Sequence, residues 1–139
     1  MKTTHGRGIL IVATTVVVAS IVAGVILVGS PARGRLERLD ARRVEDLAGI
    51  VEGMDEFWGR NERLPRSLAE LADDPRVRVS TLDPRSGEGY EYRLRGEGAY
   101  ELCASFDLES PAGVPREPED FWRHGAGRQC FELRVDRSS

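Results

Sequence analysis

Two cysteines, Cys103 and Cys130, and two histidines, His124 and, ahead of the apolar run, His5, are the residues whose types first suggest chemistry. Two thiolates and an imidazole suit zinc. No CxxC or HxxxH spacing accompanies them, and only one thiol lies near the histidine in sequence. A Ser-His-Asp arrangement would need His124 as base with Ser105 or Ser110 as nucleophile, and neither serine sits in a nucleophile-elbow sequence. The glycines at 87, 89, 96 and 98 lead no Lys-Ser/Thr into a helix, so they read as turn glycines and not as a phosphate cradle. No catalytic, cofactor-binding or metal-binding residue is assigned. The two sulfurs are left with two readings, a bond to each other or a pair of free thiols, and the first is expected.

The elements that would position them support that reading. Tyr90, Tyr92 and Leu94 alternate with Glu91, Arg93 and Arg95. After Gly96-Glu97-Gly98, Tyr100, Leu102, Ala104 and Phe106 alternate with Glu101, Cys103, Ser105 and Asp107. A three-residue turn sets Tyr92 opposite Leu102 and Arg93 opposite Glu101, so the apolar faces coincide. A last strand, Cys130–Val135, turns Phe131, Leu133 and Val135 inward. Cys103 and Cys130 then share the outer, polar face of neighbouring strands. A disulfide between them closes a loop of 26 residues, worth on the order of 3 kcal/mol in the chain-entropy model. The loop, 109–129, is rich in Pro and Gly and carries Phe121 and Trp122, which should pin it against the core edge.

Upstream of the strands lies an amphipathic helix. Leu36, Leu39, Val44, Leu47, Ile50, Val51, Met54, Phe57 and Trp58 recur at three- and four-residue steps, with charges, Arg43 among them, on the other face. Gly59 and Asn61 should stop it. A short helix is expected around Leu64–Leu71, with Pro65 near its start. The expected core is Leu47, Val51, Met54, Trp58, Tyr92, Leu102, Phe131 and Leu133. The fold class is α+β: a transmembrane helix, then a long amphipathic helix on a three-stranded antiparallel sheet.

From Ile9 to Val28 the chain has 20 residues without a charge, dense in Val and Ile. As a helix they span about 30 Å, the thickness of a bilayer's hydrocarbon core. A secretory signal has a shorter apolar stretch, so the segment reads as an uncleaved anchor. Pro31 and Gly34 should end or kink it. The chain thus divides into a tail (1–8), an anchor (9–29), a linker (30–35) and a folded domain (36–139). That leaves 107 residues after position 32, one modest core, and excludes TIM barrels, full Rossmann folds and two-lobed enzymes.

All 23 acidic residues follow position 32, against 18 basic ones, a net of −5 with the signs interspersed. A nucleic-acid partner is excluded on that balance, because no basic stripe marks a positive domain. Orientation draws two opposed arguments. Arg33, Arg35, Arg38, Arg42 and Arg43 outnumber Lys2 and Arg7, which by positive-residue count puts the domain in the cytoplasm. A disulfide persists outside the cytoplasm. The expected orientation follows the cysteines.

The order of these parts is similar to that of type IV pilin-like proteins, in particular the type II secretion major pseudopilins. The likeness covers roughly 36–107. It rests on Leu64-Pro65-Arg66-Ser67-Leu68-Ala69-Glu70-Leu71, matching a Leu-Pro…Leu…Leu segment, and on Asp83-Pro84-Arg85-Ser86-Gly87-Glu88-Gly89-Tyr90-Glu91-Tyr92, matching an Asp-Pro lead into the first strand. The family's processing site is absent: Gly8-Ile9-Leu10-Ile11 is followed by no acidic residue before Glu37. The resemblance therefore implies a pilin-like ectodomain on an uncleaved anchor, a structural or assembly role in the bacterial cell envelope at the inner membrane, and protein partners in a secretion or pilus-like assembly. Members of that family bind calcium in the corresponding loop, here 107–120 with Asp107, Glu109, Glu117, Glu119 and Asp120, but no ligand spacing matches, solvated loop charges are the favoured reading, and no cofactor is expected. The alternative is a small extracytoplasmic module that binds or senses a ligand or metal through the 109–129 loop.

Overall fold

The computed structural model describes residues 3–28, 30–111 and 119–135. The chain divides into two units, Met1–Arg35 and Leu36–Ser139.

The first unit is dominated by α1, Thr3–Val28. Its apolar side chains from Ile9 to Ile26 are exposed all round, from 52% at Val22 to 73% at Ile26. A surface of that kind is stable only in an apolar solvent. The three polar interruptions are silenced within the helix: Thr14, Thr15 and Ser20 hydroxyls donate to the carbonyls of Leu10, Ile11 and Val16 at 2.8–2.9 Å. This helix is long and apolar enough to cross a membrane.

Helix α2 runs Pro31–Asn61. Ser30 caps it, its Oγ accepting from the Ala32 N–H and its carbonyl from the Gly34 N–H, both at 3.2 Å. Pro31 thus occupies the first helical position, where its missing N–H costs nothing. It starts α2 five residues before Leu36, where the apolar pattern begins. At the other end Gly59 does not stop the helix, which continues to Asn61. There Glu62 takes the left-handed conformation (φ +52°) and its N–H donates to the Trp58 carbonyl at 2.8 Å.

The sheet has the order β1-β2-β3, all antiparallel: β1 Glu91–Gly96, β2 Ala99–Phe106, β3 Gly127–Arg134. Tyr92 pairs with Leu102 and Arg93 with Glu101, the partners that the alternation requires. The turn is tighter than a three-residue loop, because β1 extends to Gly96 through a bulge, and Gly98 supplies a φ of +73°. A short helix α3, Leu68–Ala72, begins three residues after Pro65. Ser67 sets its start: Ser67 Oγ accepts from the Glu70 N–H at 3.2 Å, and Glu70 Oε2 accepts from the Arg66 N–H at 2.6 Å, a variant of the capping box.

One core joins these elements. Leu47, Ile50, Met54 and Phe57 of α2 cluster with Leu68 and Leu71, Tyr100, Leu102 and Phe106, and Phe131. Of the expected core, Leu47, Met54, Leu102 and Phe131 are buried, whereas Val51, Trp58, Tyr92 and Leu133 are half-buried at its margin. Two rings of the β2–β3 connection close its edge, Trp122 and Phe121 lying 4.9 and 6.0 Å from the Phe131 ring.

Segment 71–79 lies so close to α2 that a Cβ on Gly53 would fall 2.8 Å from Val77 Cγ1 and 3.1 Å from Val79 Cγ1. At Gly49, one turn earlier, the space is open. Urea unfolding should therefore separate two identical substitutions. Gly53→Ala should cost about 1–3 kcal/mol by overpacking, and Gly49→Ala should gain roughly 0.5–1 kcal/mol from helix propensity. In the same assay Leu47→Ala should cost about 2–5 kcal/mol and Val51→Ala clearly less, since Val51 is not enclosed.

Candidate functional site

Strand register builds the first of two polar clusters. Cys103 and Cys130 are directly opposed on β2 and β3, their Cα atoms 4.0 Å apart, and their sulfurs are bonded. The outer face around them is more enclosed than alternation implies, with Cys103 1% and Glu101 6% exposed. Salt bridges make the cover. Arg128 reaches across β2 to Glu91, Nε to Oε1 at 2.7 Å and Nη2 to Oε2 at 2.8 Å, and its Nη2 lies 3.4 Å from Cys103 Sγ. Arg95 Nη2 donates to Glu101 Oε2 at 2.6 Å. The Arg128 hydrogen bond holds the Glu91 carboxyl below its ordinary range.

Glu101, Cys103 and Cys130 place three potential ligand atoms within 4.8 Å of one another. Thiolate is the metal-binding form of cysteine, so the pair would have to be reduced before it could ligate. His124 does not join them. Its ring stacks on Phe106 at 3.6 Å, and Phe106 belongs to the core face of β2, opposite the sulfurs. The zinc arrangement of Cys103, His124 and Cys130 is thus not assembled. The Ser110 hydroxyl accepts from the backbone N–H of His124 at 3.0 Å, and the ring Nδ1 lies 3.3 Å from the Gly125 carbonyl, so the Ser110–His124 contact is a loop clasp and no nucleophile–base pair.

The second cluster went unseen in the sequence. Arg43 of α2, expected on the charged face, is 3% exposed, and Asp40 beside it is 5% exposed. Four of the guanidinium's contacts reach three carboxylates: Asp40 Oδ1 at 2.6 Å, Asp83 Oδ2 at 2.5 Å and Oδ1 at 3.3 Å, and Asp107 Oδ2 at 2.8 Å. Asp40 in turn accepts from the N–H groups of Asp107 (2.9 Å) and Leu108 (2.8 Å), where the chain leaves β2. Asp83 accepts from the N–H groups of Arg85 and Ser86, both at 2.9 Å, forming the turn of the Asp83-Pro84 segment. Arg85 also pairs with Asp107. Helix, turn and strand end are joined through one buried cation. A signal for it existed: Leu36, Asp40, Arg43, Leu47, Ile50, Met54 and Phe57 follow one another at steps of four and three, so the inward stripe runs straight through both charged residues.

The electrostatics follow. Burial would depress the Arg43 pKa, but the hydrogen bonds it donates to Asp83, Asp107 and Asp40 outweigh it and raise the value, fixing the charge. Burial would raise Asp83, yet Arg43 and the two turn N–H groups hold its carboxyl at about 2. Asp107 is lowered mainly by Arg43, with burial opposing and Arg85 assisting. Nearby, the Tyr90 hydroxyl donates to Asp46 Oδ2 at 2.8 Å, and burial followed by that carboxylate raises its pKa.

Of the acidic residues in the 107–120 loop, Asp107 is held by two guanidinium groups, one on each oxygen, so a calcium ion there would compete with an ion pair at either oxygen. Glu109 is exposed, and Glu117 lies outside the described residues. No protein family, curated protein or solved structure matches this chain.

Removing one partner from a buried ion cluster strands the others. Arg43→Met should therefore destabilise by about 3–5 kcal/mol, measured by urea unfolding, and Asp83→Asn, which keeps an acceptor for the turn, by less. Because the Asp83 pKa is lowered on folding, its stabilisation is complete above the ordinary value of 3.8 and is lost as pH falls toward 2. Unfolding at pH 5 and at pH 2 should reveal a loss on the order of 2 kcal/mol from this residue, and Asp83→Asn should lack that increment.

Proposed function

We propose that the chain is a single-pass protein of the bacterial inner membrane whose folded unit lies outside the cytoplasm and serves as a structural component of a cell-envelope assembly, as pseudopilins do. One observation carries this reading: an apolar helix fit for a bilayer precedes a disulfide-bearing unit whose strongest polar clusters are engaged with each other. Arg43 is held by three carboxylates, Glu91 by Arg128 and Glu101 by Arg95. A cluster satisfied in this way rigidifies a fold and leaves its charges little freedom to act on a substrate. The disulfide favours an oxidising compartment. The helix-then-sheet order and the Asp83-Pro84 turn before β1 agree with the pilin-like resemblance.

The test is photo-cross-linking in native membranes, with a photoreactive residue replacing Ile21 on the exposed surface of α1. Adducts heavier than the monomer, containing this chain or other envelope proteins, are expected. Recovery as monomer alone, at full expression and with the folded unit intact to limited proteolysis, would contradict an assembly role.

A further inference from the structure

We infer that the Cys103–Cys130 disulfide is an exchange site for dithiols, in which an incoming thiolate attacks Cys130 Sγ and Cys103 leaves as a thiolate beside Arg128. The two sulfurs have unlike surroundings. Cys103 lies on the central strand and is 1% exposed, whereas Cys130 is half-buried on β3. Displacement at a disulfide is in line, so the sulfur attacked must be open on the side away from its partner. On that side of Cys103 stands β1, with Glu91 in register and Arg128 stretched across to it. On that side of Cys130 no further strand pairs among the described residues, because β3 is an edge of the sheet. Access selects Cys130.

The groups around Cys103 Sγ make it the better leaving sulfur. Arg128 Nη2 of β3 donates to it at 3.4 Å. Two carboxylates also face it, and each is matched by a guanidinium. Glu101 Oε1 of β2 lies 3.6 Å away, with Oε2 bonded to Arg95, and both oxygens of Glu91 on β1 accept from Arg128. A disulfide sulfur is a weak acceptor, so the Arg128 contact gains most of its strength when Cys103 becomes a thiolate. A leaving thiolate stabilised in this way departs faster. The electrons balance with a dithiol as co-reactant. Its thiolate bonds to Cys130 Sγ, and the pair of the broken S–S bond goes to Cys103. The second thiol of the dithiol, its proton lost to water, then attacks the donor sulfur of the mixed disulfide and expels Cys130. The dithiol ends as a cyclic disulfide, oxidised by two electrons, and the two cysteines, now reduced, take protons from water.

Trapping with a monothiol reads the choice of sulfur directly. The oxidised full chain in detergent is given excess glutathione briefly, quenched in acid, alkylated with N-ethylmaleimide and mapped by peptide mass. Glutathione on Cys130 with the alkyl group on Cys103 should exceed the reverse by about tenfold. Equal labelling, the reverse pattern, or adducts that form only in denaturant would overturn the inference. Reduction by dithiothreitol, followed by mass, then tests Arg128. The rate should rise in proportion to the dithiol, fall roughly tenfold in Arg128→Gln, and largely recover in Arg128→Lys, which keeps a cationic donor. A faster rate in an Arg128→Gln chain that still melts cooperatively would make Arg128 a mere cover and contradict its part in the exchange. Thioredoxin in place of dithiothreitol separates the sources of the dithiol. Reduction by it at micromolar concentration assigns a protein dithiol, reduction by dithiothreitol alone assigns a small one, and both uphold the site. Reduction of the folded chain by neither overturns it.

Discussion

A guanidinium taken out of water must recover its hydration from the protein, and that requirement organises the folded unit around Arg43. The three carboxylates that meet it come from positions 40, 83 and 107, on a helix, a turn and the end of a strand. None of these segments could be displaced without stranding a charge in the interior, where its cost is several kcal/mol. Apolar packing brings α2 to the sheet, but such packing tolerates sliding. The ion cluster does not. It fixes the register of α2 against the strand end, and the backbone N–H groups of Asp107 and Leu108 on Asp40 extend that constraint into the main chain.

The parts of the fold written as periodicity were legible from the sequence. Alternation in 90–106 and 130–135 predicted three strands, the register of the first two and the shared face of Cys103 and Cys130, because a one-residue slip would have turned every apolar side chain to water. The uncharged run 9–28 predicted a helix apolar enough to span a bilayer. Boundaries were less legible, for local reasons. α1 does end ahead of Pro31, at Val28, but Ser30 and Pro31 also cap and open α2, and Ser67 with Glu70 moved the start of α3 past Pro65. Of the two residues expected to stop α2, Gly59 stays within the helix and Asn61 is its last residue.

The Arg43 cluster was missed because charge was assumed to mean solvent. Its stripe is continuous, yet two of its members are ionic, and no local pattern says that Asp83 and Asp107, 40 and 64 residues away, will supply the counter-charges. His124 shows the complementary failure. Its type suggested a ligand, whereas the sheet puts it on the face opposite the sulfurs, against Phe106. Residue type names a possible chemistry, and topology decides which groups meet.

The outer face of the sheet ties fold to compartment. Cys103 and Cys130 sit where register demands, covered by Arg128 and Glu91, and a bond between them is a statement about the redox environment in which the chain matures. The most direct measurement is acid-trapped alkylation of the chain in intact cells, with thiols labelled before and after reduction. An extracytoplasmic unit should take up no label before reduction and two labels after it. Two labels before reduction would place the unit in a reducing compartment and contradict the account.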